Sequence, residues 1–567
     1  MNVLVIGAVA LGPKAACRLK RLAPAARVTM IDRDSLVSYG GCGIPYFVSG
    51  DVSELNQLRT TSFHMVRDEK FFHAAKDIEV LTRTEAVAID RRAKKVVVRH
   101  LDTGREQELP YDKLVLATGS TPNRLPIPGS DLDRVFTVAN LHDAARIKEL
   151  IAAGEVSAPV VIGGGAIGLE MVEAFRDLWG LETTLIEVRE QVLPGMVSPN
   201  LAAMISHHLT AKGVAVHLHE QVLELGGSSR VEWLRTNQRT IKADLVVMAV
   251  GVRPNVGLAR AAGLAITAGG AIAVNSRLET SDPDIYAGGD CIENQHLITG
   301  QPIYFPSGSL ANRHGRVIGS NLAGAGQEFP GIAGTGIIKV FDLAVAATGI
   351  GLARAQQLGL DAFSTFVVQG DRAHFYPGMD LMYLEMIADR QSGRVLGVQG
   401  LSGNGDALAA RINGVSAALA HNPLLRDISN LELAYAPPYA AAMDIVNALA
   451  NTAENIRAGR NRVIDVDRFA ARFTGRADHP FLVLDVRGPA NARPFVDAYP
   501  GFWLNIPQDE LRDRQAEIPR DRELILVCNS GVRSYEAQIT LDQLGITATH
   551  NVQGGMAAIK KWGLALT

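Results

Sequence analysis

The feature that most constrains the fold of this chain is a pattern that occurs twice. Each copy is a short apolar strand, a glycine turn, a helix, a second strand and a terminal acid. The second copy is the fuller one. Val160-Val161-Ile162 runs into Gly163-Gly164-Gly165-Ala166-Ile167-Gly168, a helix is expected to about Leu178, and Thr183-Thr184-Leu185-Ile186 ends at Glu187. Gly163, Gly165 and Gly168 complete a GxGxxG turn, and Glu187 falls 24 residues after Gly163. In such a unit the glycines let the backbone approach a ligand, the helix N-terminus receives a pyrophosphate, and the acid takes ribose hydroxyls. A carboxylate there repels a 2′-phosphate, so the expected ligand is NADH. Arg189 is close enough to soften that preference and leave NADPH open. The expected contacts are Gly163, Gly165, Ala166, Ile167, Gly168, Glu187 and, beyond the next strand, Gly251.

The first copy starts at the N-terminus. Val3 to Ile6 is apolar, Gly7-Ala8-Val9-Ala10-Leu11-Gly12 forms the turn, a helix is expected to about Leu22, and Val28 to Ile31 leads to Asp32. Val9 replaces the middle glycine, so this copy carries little weight by itself. Two later stretches support it. Lys113-Leu114-Val115-Leu116-Ala117-Thr118-Gly119 is a strand ending in small residues, before a crossover with Pro122, Pro126 and Pro128. Asp284-Ile285-Tyr286-Ala287-Gly288-Gly289-Asp290 is a strand followed by glycines and an acid suited to a ribityl chain. Together these mark a second nucleotide, expected to be FAD, held by Gly7, Val9, Ala10, Gly12, Asp32, Arg33, Ala117, Thr118, Gly119, Gly289 and Asp290.

Between the two units stands Tyr39-Gly40-Gly41-Cys42-Gly43-Ile44-Pro45. A thiol among glycines is placed to react rather than to pack. Position 47 is Phe, so no second cysteine completes a CxxxxC pair. A lone thiolate cannot store two electrons as an internal disulfide. It must cycle through a mixed disulfide, a persulfide or a sulfenic acid. The other cysteines are Cys17, Cys291 and Cys528; Cys17 and Cys291 read as structural, and no CxxC spacing suggests zinc or any other metal. Scattered cysteines suit a reducing cytoplasm.

Length and charge set the remaining bounds. At 567 residues the chain is too long for one core. A net charge of −3 points away from nucleic acid, and no apolar run is long enough to span a membrane. The first residues read as a buried strand rather than a secretion signal.

With these motifs in order, residues 1–455 resemble the pyridine nucleotide–disulfide oxidoreductase family. Ser38 to Tyr46 resembles the active-site segment of its single-cysteine branch, the coenzyme A-disulfide and persulfide reductases, although Gly41 stands where those have Asn. The resemblance implies a glutathione-reductase-type α/β fold with two dinucleotide sites. It places FAD-binding parts at 1–140 and 251–325, an NAD-binding domain at 141–250, and an α+β dimerisation domain at 326–455. It implies a homodimer, and it implies coenzyme A as partner of Cys42. Lys14, Arg18 and Arg21 share one face of the first helix, a stripe able to bind phosphates. By resemblance, Ser38, Lys76, Asn312 and Arg316 join them. Tyr376 and Tyr435 match tyrosines that reach the partner subunit's cysteine. Met443 stands where relatives often have Lys.

Residues 456–463 read as a linker. After it, 464–567 resembles a rhodanese-like α/β domain. Phe481 to Arg487 and Glu523 to Val527 are buried strands, and the second delivers Cys528-Asn529-Ser530-Gly531-Val532-Arg533 into a helix. Backbone N–H groups and Arg533 there can stabilise an anionic sulfur, so Cys528 can carry a sulfane sulfur. The spacing to Arg533 is one residue shorter than a CxxxxxR phosphatase loop. The whole chain thus reads as an NADH-dependent flavoprotein reducing a persulfide, a polysulfide or coenzyme A disulfide through Cys42. The alternative is an NADH oxidase or peroxidase cycling through sulfenic acid.

Overall fold

The computed structural model describes residues 1–476 and 481–566. The chain forms two compact units, Met1–Val188 with Glu220–Ile332, and Arg189–His219 with Ala333–Thr567.

In the first unit, one parallel sheet has the order Ile285–Ala287, Lys113–Leu116, Asn2–Ile6, Arg27–Ile31, Glu79–Leu81. Val3, Leu4, Val5 and Leu114, Val115, Leu116 are buried, as continuous apolar runs must be when both faces of a parallel sheet are covered. Four further strands run parallel in the order Thr184–Ile186, Pro159–Ile162, Leu245–Met248, Val135–Phe136. Three-stranded antiparallel sheets at Thr84–Pro110 and Val222–Lys242 complete the unit.

The two glycine turns use the same devices. Gly7 and Gly163 have φ of +107° and +110°, and each N–H donates at 2.8 Å to the last residue of the neighbouring strand, Ile31 or Ile186. A Cβ on Gly12 would fall on the Gly7 carbonyl oxygen, and one on Gly168 would fall on that of Gly163. First and third glycines are therefore required by the turn and by helix–strand contact. The helices that follow are Leu11–Leu22 and Ala166–Arg176, the latter two residues shorter than expected.

In the second unit an antiparallel sheet runs Gly336–Val340, Leu343–Gly349, Val395–Ser402, Leu381–Asp389, Ala362–Gly370. Helices Gly405–Leu419 and Ile445–Arg457 accompany it. The C-terminal sheet is parallel, in the order Val463–Ile464, Thr549–Val552, Glu523–Val527, Phe481–Asp485, Trp503–Asn505. Val463, expected as the last linker residue, already pairs with Asn551 in that sheet.

The C-terminal sheet is tied to the antiparallel one through Gln553. Its Oε1 accepts from the Phe366 N–H at 2.7 Å, and its Nε2 donates to Asp465 at 2.6 Å. Phe366 lies on the outermost strand, Ala362–Gly370. A Cβ on Gly554 would lie 2.9 Å from both the Phe366 and the Val368 side chains. Nearby, Glu385 accepts from Ser198 and from Gln399, and burial pushes its carboxyl up to about 7. No described helix is long and apolar enough to cross a membrane.

Candidate active site

The residues expected at the first nucleotide converge on the carboxyl ends of the first parallel sheet, where α/β folds bind ligands. The Gly7–Gly12 turn follows Asn2–Ile6, Asp32 and Arg33 follow Arg27–Ile31, Ala117–Gly119 follow Lys113–Leu116, and Gly289 and Asp290 follow Ile285–Ala287. Helix Leu11–Leu22 has no side-chain cap and no acid in its first turn, so its free N–H groups suit a pyrophosphate. These donors fit FAD. Val9 and Ala10 sit half-buried in the turn.

Both terminal acids are engaged by their own turns. Asp32 accepts from the N–H groups of Ala8 (2.7 Å) and Asp34 (2.9 Å), and Glu187 accepts from that of Gly164 (2.6 Å). Burial pushes the Asp32 carboxyl up. Each acid braces the loop in addition to any ribose it takes. In the second turn a Cβ on Gly165 would meet no atom, and helix Ala166–Arg176 again lacks a side-chain cap. The middle glycine therefore faces open space of the kind a pyrophosphate needs. Gly251 (φ +87°) accepts from the Asn123 N–H at 2.9 Å, where the two-stranded crossover of Ser120–Pro122 and Val252–Pro254 begins.

Cys42 is exposed and lies in the 3₁₀ turn Gly41–Gly43, directly before helix Ile44–Ser49. Its sulfur also faces the first residue of helix Gly308–Leu322, since a Cβ on Gly308 would be 3.4 Å from Sγ. The sulfur thus lies at the head of helix Gly308–Leu322. The longer helix is held there by Asp290. Its two oxygens accept from the Ser307 N–H and the Ser120 hydroxyl, both at 3.2 Å, and burial pushes its carboxyl up. His314, on the same helix, accepts from the Gly289 N–H at 3.1 Å through Nδ1.

The basic residues gather on two packed helices. Gly315 and Gly319 lie against Lys14 and Arg18, and Arg18 Nε donates to Ser320 at 3.0 Å. Asn312 and Arg316 are exposed on the same helix, and Asn312 donates to the Gly308 carbonyl at 2.8 Å. Lys76, Arg21 and Lys14 all lie close enough to Cys17 to favour its thiolate, although burial, the larger effect, raises it. Eight residues from Gly308 to Arg316 make about 12 Å of helix. A track therefore leads from the Cys42 sulfur to a cluster of cations. Ser38 is buried at φ +51°, its N–H donating to the Ala8 carbonyl at 2.8 Å.

One residue here escaped the sequence reading. Glu170, on the helix after the second glycine turn, is hydrogen-bonded to Tyr46, four residues after Cys42. Burial, with Glu173 beside it, pushes Glu170 up to about 7, and burial pushes Tyr46 up to about 12.

In the second unit Tyr376 and Tyr435 are exposed on neighbouring loops, joined where the Ala373 N–H donates to the Pro437 carbonyl at 3.3 Å. Arg411 clamps both loops. It donates to the carbonyls of Asp371 (3.0 Å) and Tyr439 (3.1 Å) and to the carboxylate of Asp444 (2.8 Å).

Cys528 follows Glu523–Val527 and is 1% exposed. Its sulfur accepts from the Gly531 N–H at 3.1 Å and the Ser534 hydroxyl at 3.2 Å. Ser534 was not among the residues singled out. Gly531 (φ +96°) turns the loop Cys528-Asn529-Ser530-Gly531-Val532-Arg533 into helix Val532–Gln543.

Comparison with known proteins identifies three modules. Residues 1–308 match the model for pyridine nucleotide-disulphide oxidoreductases, 336–445 that family's dimerisation domain, and 453–561 the rhodanese-like domain. The chain is 35% identical to an NAD(P)H sulfur oxidoreductase (CoA-dependent) of Pyrococcus abyssi, over 79% of this chain and 97% of that one. The structure of an NAD-dependent persulfide reductase from A. fulgidus superposes with a TM-score of 0.92 at 40% identity, covering 98% of this chain and 100% of that one. That of reduced Bacillus anthracis CoADR-RHD gives 0.90 at 31%, covering 99% and 98%. The chain belongs to the pyridine nucleotide-disulphide oxidoreductase family, with a rhodanese-like domain at its C-terminus.

Proposed function

We propose that this chain is an NAD(P)H-dependent flavoprotein reductase that acts on a persulfide, a polysulfide or coenzyme A disulfide through Cys42. The observation that carries the reading is the exposed thiol of Cys42 at the head of helix Gly308–Leu322, with Asn312, Arg316, Lys14 and Arg18 leading away from it. Such a track suits a thiol substrate with a long arm and phosphates at its far end, as coenzyme A has.

FAD, held by the Gly7–Gly12 turn, Asp32, Ala117–Gly119 and Asp290, supplies the two-electron relay between nicotinamide and sulfur when bound. The chain's own residues do the rest. Cys42 thiolate attacks the inner sulfur of a persulfide R–S–SH, the S–S bond breaks, and hydrosulfide leaves as Cys42–S–S–R forms. The head of helix Gly308–Leu322, beside the sulfur, leaves room at Gly308 for the incoming substrate. Two electrons and a proton, ultimately the hydride of NAD(P)H, then return Cys42 thiolate and free thiol RSH. Glu170 and Tyr46 form a proton-holding pair beside the Cys42 helix. Cys528, with Gly531 and Ser534 donating to its sulfur, is the proposed carrier of sulfane sulfur. The enzyme acts as a homodimer in which Tyr376 and Tyr435 serve the partner's cysteine. A cytoplasmic location suits its free thiols.

Cys42→Ser tests the reading. The expected outcome is a protein that retains FAD but loses NADH-dependent sulfide release from persulfide by at least a thousandfold, roughly what removal of a catalytic nucleophile costs. Sulfide release at the parent rate would sink the proposal. Faster turnover of oxygen or peroxide than of any sulfur substrate would favour the oxidase chemistry.

A further inference from the structure

Arg59 ends the short turn Leu55–Arg59, which packs on the Cys42 segment. The Leu58 carbonyl accepts from the Gly40 N–H at 2.9 Å, and the Leu58 side chain occupies the space that a Cβ on Gly43 would need. Arg59 is only 9% exposed, and its Nε is buried with no hydrogen-bond partner. Among the described residues no carboxylate pairs with its guanidinium. Beside it, Arg67 donates from Nε to the Arg59 carbonyl at 3.2 Å and from Nη2 to the Leu58 carbonyl at 3.4 Å. Burial holds Arg67 below the usual guanidinium range. Two cations therefore sit next to the reactive segment without a counter-charge. One spends its donors on carbonyls; the other does not.

A guanidinium nitrogen buried without an acceptor is costly to a fold. The cost is offset if an anion arrives with the ligand. The planar fork of a guanidinium matches a phosphate in bidentate fashion. We propose that Arg59, positioned by Arg67, is a binding site for a phosphate oxyanion of a ligand lying against the Cys42 segment. The inference rests on the reading of Cys42 given above. It adds a contact apart from the cluster of Lys14, Arg18, Arg21, Lys76 and Arg316. Two ligands of that reading carry phosphates, coenzyme A and FAD, and the test separates them.

The experiment uses full-length holoenzyme carrying Cys42→Ser, so that binding is measured without turnover. Arg59→Met is introduced, with Arg59→Lys as a charge-keeping second variant should the first not fold. Calorimetric titration with coenzyme A and with phosphate-free pantetheine, together with FAD content, gives the result. A 10- to 100-fold loss of coenzyme A affinity in Arg59→Met, with pantetheine unchanged and FAD retained, is expected if coenzyme A is the source. Loss of FAD from Arg59→Met with coenzyme A affinity unchanged after reconstitution assigns the phosphate to FAD. Unchanged affinity for coenzyme A together with full FAD content overturns the proposal. If the parent protein binds no coenzyme A, that counts against the substrate reading, and FAD retention alone decides the role of Arg59.

Discussion

His314 shows how much one side chain can hold in place. Its Nδ1 accepts from the Gly289 N–H, so the ring must be neutral there, and burial, with Arg313 nearby, lowers its pKa to about 4. An unfolded histidine titrates near 6.5. Between those values the unfolded chain binds the extra proton, so stability rises with pH through this window. It is fully present above about pH 6.5 and is lost as pH falls towards 4. The loss should approach about 2–3 kcal/mol. Thermal midpoints at pH 7 and pH 5 will show a smaller difference in His314→Asn, whose carbonyl can accept the same bond without titrating. An equal difference would exclude His314 as the source. Residues of this kind divide into those readable in the sequence and those not. Gly163, Gly165 and Gly168 were legible because a turn is a local event. Ser534, Glu170 and Arg59 were not singled out, because a hydroxyl, a carboxyl or a guanidinium takes its meaning from what distant chain segments bring beside it.

At the scale of elements, helix Gly308–Leu322 does three jobs that its sequence did not announce together. Its first residue faces Cys42, its exposed side carries Asn312 and Arg316, and Gly315 and Gly319 admit helix Leu11–Leu22. The Asn312/Arg316 pair follows from family resemblance, but the need for glycine at 315 and 319 comes from Lys14 and Arg18 packed against them. The loops with Tyr376 and Tyr435 depend in a similar way on Arg411, a buried residue of helix Gly405–Leu419. Arg411→Leu leaves Asp444 buried without its cation and frees the carbonyls of Asp371 and Tyr439. It should cost about 3–5 kcal/mol in chemical denaturation. Limited proteolysis should then cut within residues 373–378 and 435–443. Arg411→Lys should recover only part of the loss, because one ammonium cannot serve the carboxylate and both loops. Protection equal to the parent in Arg411→Leu would show that the loops are held by other means.

For the whole molecule, the order of the modules was legible and their attachment was not. Apolar runs and glycine turns announce strands and helices, whereas Gln553 meeting Phe366 joins residues far apart in sequence. Deleting residues 464–567 should expose Phe366 and Val368 on an outer strand and leave its N–H groups unpaired, a known route to aggregation. Light scattering of the truncated chain should rise at concentrations where the full chain stays clear. Gln553→Leu, which removes only the polar link, should cost about 1–3 kcal/mol and leave the chain monodisperse. A truncated chain as well behaved as the parent would show that the strand needs no cover.

That glutamine has a historical consequence. A module whose side chain finishes another module's ladder can no longer be exchanged freely by gene recombination. Any replacement lacking a side chain at that place would leave the Phe366 N–H without its acceptor.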